Sequence, residues 1–142
     1  MVKGMGGSPL LSIRWHLVLA IERRNCPALA TEEEIMDTHR IRELNDAFRG
    51  NLAGGKVMLT PGVSELPEEN LHQLMLSVCT FSAFTAGNDP HGEHDFGGIE
   101  IEGCTYFWKI DYYDRSLEYG SPDPSDPAVT TRVLTIMRAD EY

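Results

Sequence analysis

Between Asp89 and Asp95 the chain places two histidines and three carboxylates: Asp89-Pro90-His91-Gly92-Glu93-His94-Asp95. Imidazole nitrogens and carboxylate oxygens ligate divalent metals, and they are also the commonest general acids and bases. In one arrangement His91 and His94 hold a divalent ion, Asp95 completes the ligand set, and Glu93 acts as base on a bound water. Glu93 and Asp95 are then the candidate catalytic residues. The short zinc signatures are missing, because H-E-x-x-H and H-x-x-E-H differ from this stretch in spacing or order. His91-x-Glu93 opens like a deaminase signature, but no P-C-x-x-C follows it. The same residues have two plainer readings. Asn88-Asp89-Pro90-x-Gly92 is turn chemistry, with proline presetting φ and glycine free to take φ > 0. His94 and Asp95 would then anchor the loop to a sheet, or the loop as a whole, from Asp89 to Asp95, would meet a partner.

A second candidate is the run Tyr106-Phe107-Trp108-Lys109-Ile110-Asp111-Tyr112-Tyr113. Strand alternation puts Tyr106, Trp108, Ile110 and Tyr112 on one face and Phe107, Lys109, Asp111 and Tyr113 on the other. The first set suits a core. The second mixes aromatics with a Lys–Asp pair, which fits either a ligand- or partner-facing surface or a plain surface ion pair. Lys109, Asp111 and Tyr113 are therefore binding candidates. Stacking of RNA bases on these rings is opposed by the surrounding negative charge.

The elements that must position these groups follow from periodicity and caps. Thr31 and Glu34 form a capping box, and Ile41, Leu44 and Phe48 recur on one face of a helix that Gly50 should stop. Lys56 to Thr60 is a short strand bounded by Pro61-Gly62. A second helix is expected from about Leu66 to Thr85, with Leu71, Leu74, Met75, Val78 and Phe81 inward. Ile99 to Glu102 alternates strictly, Gly103 marks a hairpin, and Tyr106 to Tyr113 returns. After a proline-rich acidic loop at 121–127, Val133 to Met137 reads as an interior strand. The expectation is an α+β fold: a small, largely antiparallel sheet of about four strands, with two main helices on one face and a further helix near the N-terminus.

The chain has 142 residues with 22 acidic and 12 basic side chains, a formal net charge of −10. The imbalance is local. Residues 1–30 carry four bases and one acid, and residues 31–142 carry eight bases and 21 acids. This divides the chain into a basic N-terminal extension, 1–30, and an acidic α+β domain, 31–142. A chain so acidic is not expected to bind nucleic acid directly, which needs clustered Lys and Arg. Carboxylates spaced along strands and loops can instead imitate a phosphate backbone and occupy a basic protein surface. Three cysteines without C-x-x-C spacing suggest free thiols and a cytoplasmic setting. The longest N-terminal apolar run, Leu17 to Ile21, is too short for a membrane span and lacks a cleavage site after it. Phosphate-cradling glycine patterns and G-x-S-x-G are absent.

Several separated blocks carry a resemblance: Asn88 to Gly97, Phe107 to Asp114, Ser121 to Pro124 and Arg132 to Met137, with Arg42-x-Leu44-Asn45-Asp46 and Leu59-Thr60-x-Gly62-Val63 before them. In order and type they resemble a small proteobacterial family described as a domain of unknown function, over about residues 40–142. The resemblance implies no activity and no catalytic residue. It implies a setting, since such proteins often accompany plasmid or phage-like genes. The expectation is an acidic binding or regulatory protein of a bacterial mobile element, an anti-defence inhibitor acting by nucleic-acid mimicry on a basic protein. The alternative is a small metal-dependent hydrolase using the His91–Asp95 loop. A third is a small-molecule module using the Trp108/Tyr112 or Phe107/Tyr113 face.

Overall fold

The computed structural model describes residues 31–142. The expected basic extension and its helix lie outside the described residues. Helix α1 spans Glu32–Asn51. Its start is the capping box: the Glu34 amide donates to Thr31 Oγ1 (3.1 Å) and the Thr31 amide to the Glu34 carboxylate (2.8 Å). Glu32, Glu33 and Glu34 sit at the positive end of the helix dipole. The helix does not stop at Gly50. It runs one residue further and closes on Leu52 in the left-handed region, whose amide donates to the Phe48 carbonyl.

Strand β1 (Lys56–Leu59) leads into a single turn of helix, α2 (Pro61–Ser64), which the Pro61-Gly62 boundary had concealed. Helix α3 covers Glu68–Cys79, six residues short of the expected end. Strands β2 (Phe96–Ile101), β3 (Cys104–Tyr113) and β4 (Thr131–Arg138) complete the chain with a short 3-10 turn at Ala139–Glu141. The sheet order is β1-β4-β3-β2. β2–β3 and β3–β4 are antiparallel, whereas β1 pairs with β4 in parallel. The sheet is thus mixed, mostly antiparallel, and the fold is α+β.

The β2–β3 connection is a two-residue turn in which both central residues, Glu102 and Gly103, have positive φ (51° and 81°). That conformation matches the twist of the strands and is why glycine stands there. Strand β2 begins three residues earlier than alternation suggested, because Gly97-Gly98 carries no side-chain pattern. Gly97 is needed as glycine for space: a Cβ there would lie 2.5 Å from Trp108 Nε1 and 2.9 Å from Phe81 Cε1.

One core results. Tyr106, Trp108, Ile110 and Tyr112 of β3 share a face with Leu134 and Ile136 of β4. They meet Ile41 and Phe48 of α1, Val63 of α2, and Leu74 and Val78 of α3. β4 lies inside the sheet and is buried from Arg132 to Met137, as its continuous apolar run implies.

Candidate functional site

The first helix carries three polar residues on or beside its buried face: Asn45, Asp46 and Arg49. Asn45 and Arg49 are one turn apart and buried. Arg49 donates to the carbonyls of Val78 (3.0 Å) and Phe81 (2.8 Å), and its other amino group reaches Asp46 (2.9 Å). Its guanidinium also lies over the rings of Trp108 and Phe84. These bonds satisfy carbonyls at the end of α3 and just beyond it, and hold the chain after Cys79 out of the helix, which explains the early helix end.

Beyond α3 the chain folds back through a turn built by Asn88. Its Oδ1 accepts from the Thr85 amide and its Nδ2 donates to the Ala83 carbonyl. The sequence expectation of turn chemistry is met here, with Gly92 at φ 69°. His94 is also left-handed, at φ 55°, a conformation few non-glycine residues adopt. Three contacts hold it. Its amide donates to Asp89 Oδ1 (3.1 Å), its Nδ1 meets the Asp46 carboxylate (2.9 and 3.1 Å), and its ring stacks flat on Phe84 at 3.8 Å. His94 Nε2 lies 3.7 Å from the second Asp89 oxygen, so the imidazole sits between two carboxylates.

Under this loop lies a buried polar network. Asn45 Nδ2 donates to the Glu93 carbonyl (2.9 Å) and to the Tyr112 hydroxyl (2.8 Å). Tyr112 in turn donates to Glu93 Oε1 (2.8 Å). Arg132 Nε donates to Asn45 Oδ1 (2.7 Å) and an amino group donates to the Pro124 carbonyl (2.6 Å). The Arg132 guanidinium covers the Tyr112 ring at 5.2 Å. Burial pushes the Tyr112 hydroxyl well above its ordinary range, and the charges of Asp95 and Glu93 act in the same direction. Tyr112 is therefore a neutral phenol that donates to a carboxylate. Burial lowers the Arg132 pKa, and the negative charge of the nearby Glu93 carboxylate acts against that shift.

The candidate residues divide as follows. Asp89, Glu93, His94 and Asp95 are gathered around the loop, and Asp89, Glu93 and Asp95 are buried, while His91 is half-buried in the turn. Glu93 is tied twice, through its carbonyl and its carboxylate, and its carboxylate pairs with the Tyr112 phenol. Among the described residues, no group of three or more His, Cys, Asp or Glu side chains is arranged to hold a metal ion, so His91, His94 and Asp95 do not converge as a ligand set there. Lys109, Asp111 and Tyr113 stand on the opposite face of β3 from Tyr112. The wet surface expected for them is corrected: Lys109 and Asp111 are each 2 % exposed and form a buried ion pair at 3.4 Å.

Asn45, Asp46, Arg49 and Arg132 are missed by the sequence reading, and Tyr112 figures in it only as one of the aromatics of a possible small-molecule face. The available signal was polarity inside an apolar pattern: Asn45 and Arg49 interrupt the stripe of Ile41, Leu44 and Phe48, and Arg132 opens an otherwise apolar interior strand.

A family model described as "Protein of unknown function (DUF3768)" matches residues 59–141. That stretch contains Glu93, His94, Tyr112 and Arg132, and it stops short of α1. No curated protein and no solved structure matches the chain.

Proposed function

We propose, for a chain that belongs to the DUF3768 family of proteins of unknown function, that it is an acidic binding or regulatory protein that engages a basic protein surface. The observation that carries this reading is the way folding sorts charge. Residues 31–142 hold 21 acids and eight bases. Four acids (Asp89, Glu93, Asp95, Asp111) and three bases (Arg49, Lys109, Arg132) are buried. That leaves 17 carboxylates against five cationic side chains near solvent. The fold therefore makes the surface more one-sided than the sequence.

The carboxylates are also gathered. Asn70 Nδ2 donates to Glu102 (3.2 Å), which brings the β2–β3 turn, with Glu100 and Glu102, against the first turn of α3, with Glu68 and Glu69. All four glutamates are exposed. Such a surface steers a basic partner by long-range attraction, and the association weakens with salt. A partner whose basic groove otherwise grips nucleic acid fits this chemistry, and the mobile-element, anti-defence setting is supported by the family resemblance alone. The hydrolase alternative retains Glu93 as its base, without a described ligand set to seat an ion.

The test is a pull-down from bacterial lysate with the tagged chain, eluted along a salt gradient. A basic protein should leave at moderate salt. Glu68→Gln, Glu69→Gln, Glu100→Gln and Glu102→Gln together should cut its capture. Capture that survives both high salt and the quadruple variant would sink the idea.

A further inference from the structure

The sheet has two faces, and α1, α2 and α3 pack on one of them, the face of Trp108, Tyr112 and Ile136. On the other face Lys109 of β3 stands beside Thr135 of β4, Asp111 beside Val133, and Phe107 beside Met137. Alternation points these side chains away from the helices. Yet the middle of this second face is dry. Tyr113 is 1 % exposed, Val133 2 %, and Thr135 and Met137 3 % each. Lys109 and Asp111 pair at 3.4 Å in its centre, and an ion pair so placed has been taken out of water by something lying over it.

The described elements do not supply that cover. Ile41, Phe48, Val63, Leu74 and Val78 commit the three helices to the first face. The loop before β4 lies on the same side, where Pro127 and Thr130 share a cavity with Leu44 and Phe48 of α1. Tyr142 reaches the second face only at one corner, against Phe96 and Phe107 at 6.1 and 5.6 Å between ring centres. Residues 1–30 are the part of the chain that is left.

We propose that Leu10 to Ile21 lie over the second face of the sheet, so that the N-terminal extension completes the fold as a third layer. The composition fits the task. Eight of those twelve residues are large and apolar, namely three in Leu10 to Ile13, Trp15, and four in Leu17 to Ile21. An apolar sheet face is covered by such a stretch, as layered folds require. The charge fits as well, since the extension carries four bases and one acid and the domain 21 acids and eight bases. Ile21 and Thr31 are ten residues apart, an extended reach of about 33 Å, which exceeds two layer spacings of about 10 Å each. The acidic-surface reading rests on other residues, so failure here would leave it as it stands.

The experiment uses the full chain. Methyl-labelled protein is read for proton–proton cross-peaks between the methyls of residues 10–21 and those of Val133 and Met137. Such cross-peaks are expected within one chain, with none from residues 10–21 to Leu74 or Val78 on the helix side. A mixture of labelled and unlabelled chains separates contacts within a chain from contacts between copies. No cross-peaks to Val133 and Met137, or cross-peaks between copies only, would overturn the proposal. A second measurement follows oxidation of Met137 by peroxide, with Met75, packed against the helix-side core, as the internal reference. In the double variant Leu17→Asp, Leu19→Asp the Met137 rate should rise about tenfold relative to Met75, because oxidation follows exposure. An unchanged ratio would also overturn it.

Discussion

Asn45 and Tyr112 meet at 2.8 Å, the amide of a helix against the phenol of a central strand, and both are fully buried. The same amide holds the Glu93 carbonyl and accepts from Arg132. One side chain thus ties α1, the loop before β2, β3 and β4 together. Asn45→Ala would leave the Arg132 Nε, the Glu93 carbonyl and the Tyr112 oxygen short of a partner each. We expect a loss of about 2–4 kcal/mol, as for buried groups left unsatisfied, read in a urea melt. A loss below about 0.5 kcal/mol, the size of an ordinary surface change, would show that the network is not a structural hub.

Tyr112 makes the alkaline limb of stability diagnostic. Its folded-state pKa is raised, first by burial and then by Asp95 and Glu93. Below the ordinary tyrosine pKa of about 10 the phenol is neutral in both states and its contribution is complete. As pH rises beyond that value, the unfolded chain ionises first, and stability falls until the folded pKa is reached. Tyr112→Phe should lower stability at pH 7 by about 1–3 kcal/mol, since Glu93 loses its donor. It should also flatten the decline above pH 10, measured by chemical denaturation across pH 8–11. An unchanged alkaline slope in the variant would refute the assignment.

The strands and the first helix were legible because their signals are local: a capping box, strict alternation, a glycine turn, a continuous apolar run. The errors came where distant residues decide. Helix α3 ends at Cys79 because Arg49, far earlier in the chain, takes the Val78 and Phe81 carbonyls. The parallel β1–β4 pair joins strands far apart in the sequence, with α2, α3, β2 and β3 between them, which no local pattern encodes. For the site, the loop from Asp89 to Asp95 stood out by composition. Its partners Asn45 and Arg132 did not, because a single polar residue in an apolar stripe looks the same whether it faces solvent or a buried hydrogen bond. Lys109 and Asp111 show the converse, since charge suggested water and the pair is buried.

His94 joins backbone geometry to side-chain chemistry, and the two can be separated. Its φ of 55° is held by the Asp89 carboxylate, the Asp46 contact and the Phe84 stack. Asparagine tolerates that conformation better than alanine. His94→Asn should therefore keep most of the stability, whereas His94→Ala should cost about 1–2 kcal/mol more than Asn, combining strain with lost contacts. Hydrogen exchange at residues 85–95 should rise in His94→Ala, with the central strands unchanged. Exchange that rises equally in β3 and β4 would mean the loop is not a separate unit.

Gly97 and Gly98 are adjacent on β2 and face opposite sides of the sheet, which gives a matched pair of substitutions. At Gly97 an added Cβ would sit 2.5 Å from Trp108 Nε1, 2.8 Å from Trp108 Cε2 and 2.9 Å from Phe81 Cε1. Trp108 is fully buried and Phe81 packs edge-on against it at 5.5 Å, so neither ring can move without disturbing the core. At Gly98 the nearest atom is Phe107 Cε1 at 3.4 Å, an ordinary contact on an exposed residue. Gly97→Ala should cost about 1–3 kcal/mol, the usual penalty of overpacking, and should alter the tryptophan emission. Gly98→Ala should stay within about 0.5 kcal/mol of the parent, or gain slightly from the lower entropy of the unfolded chain. Equal effects at the two positions would mean that the Trp108 ring has room that this geometry denies it, and the tight approach of β2 to β3 would lose its role in setting the core.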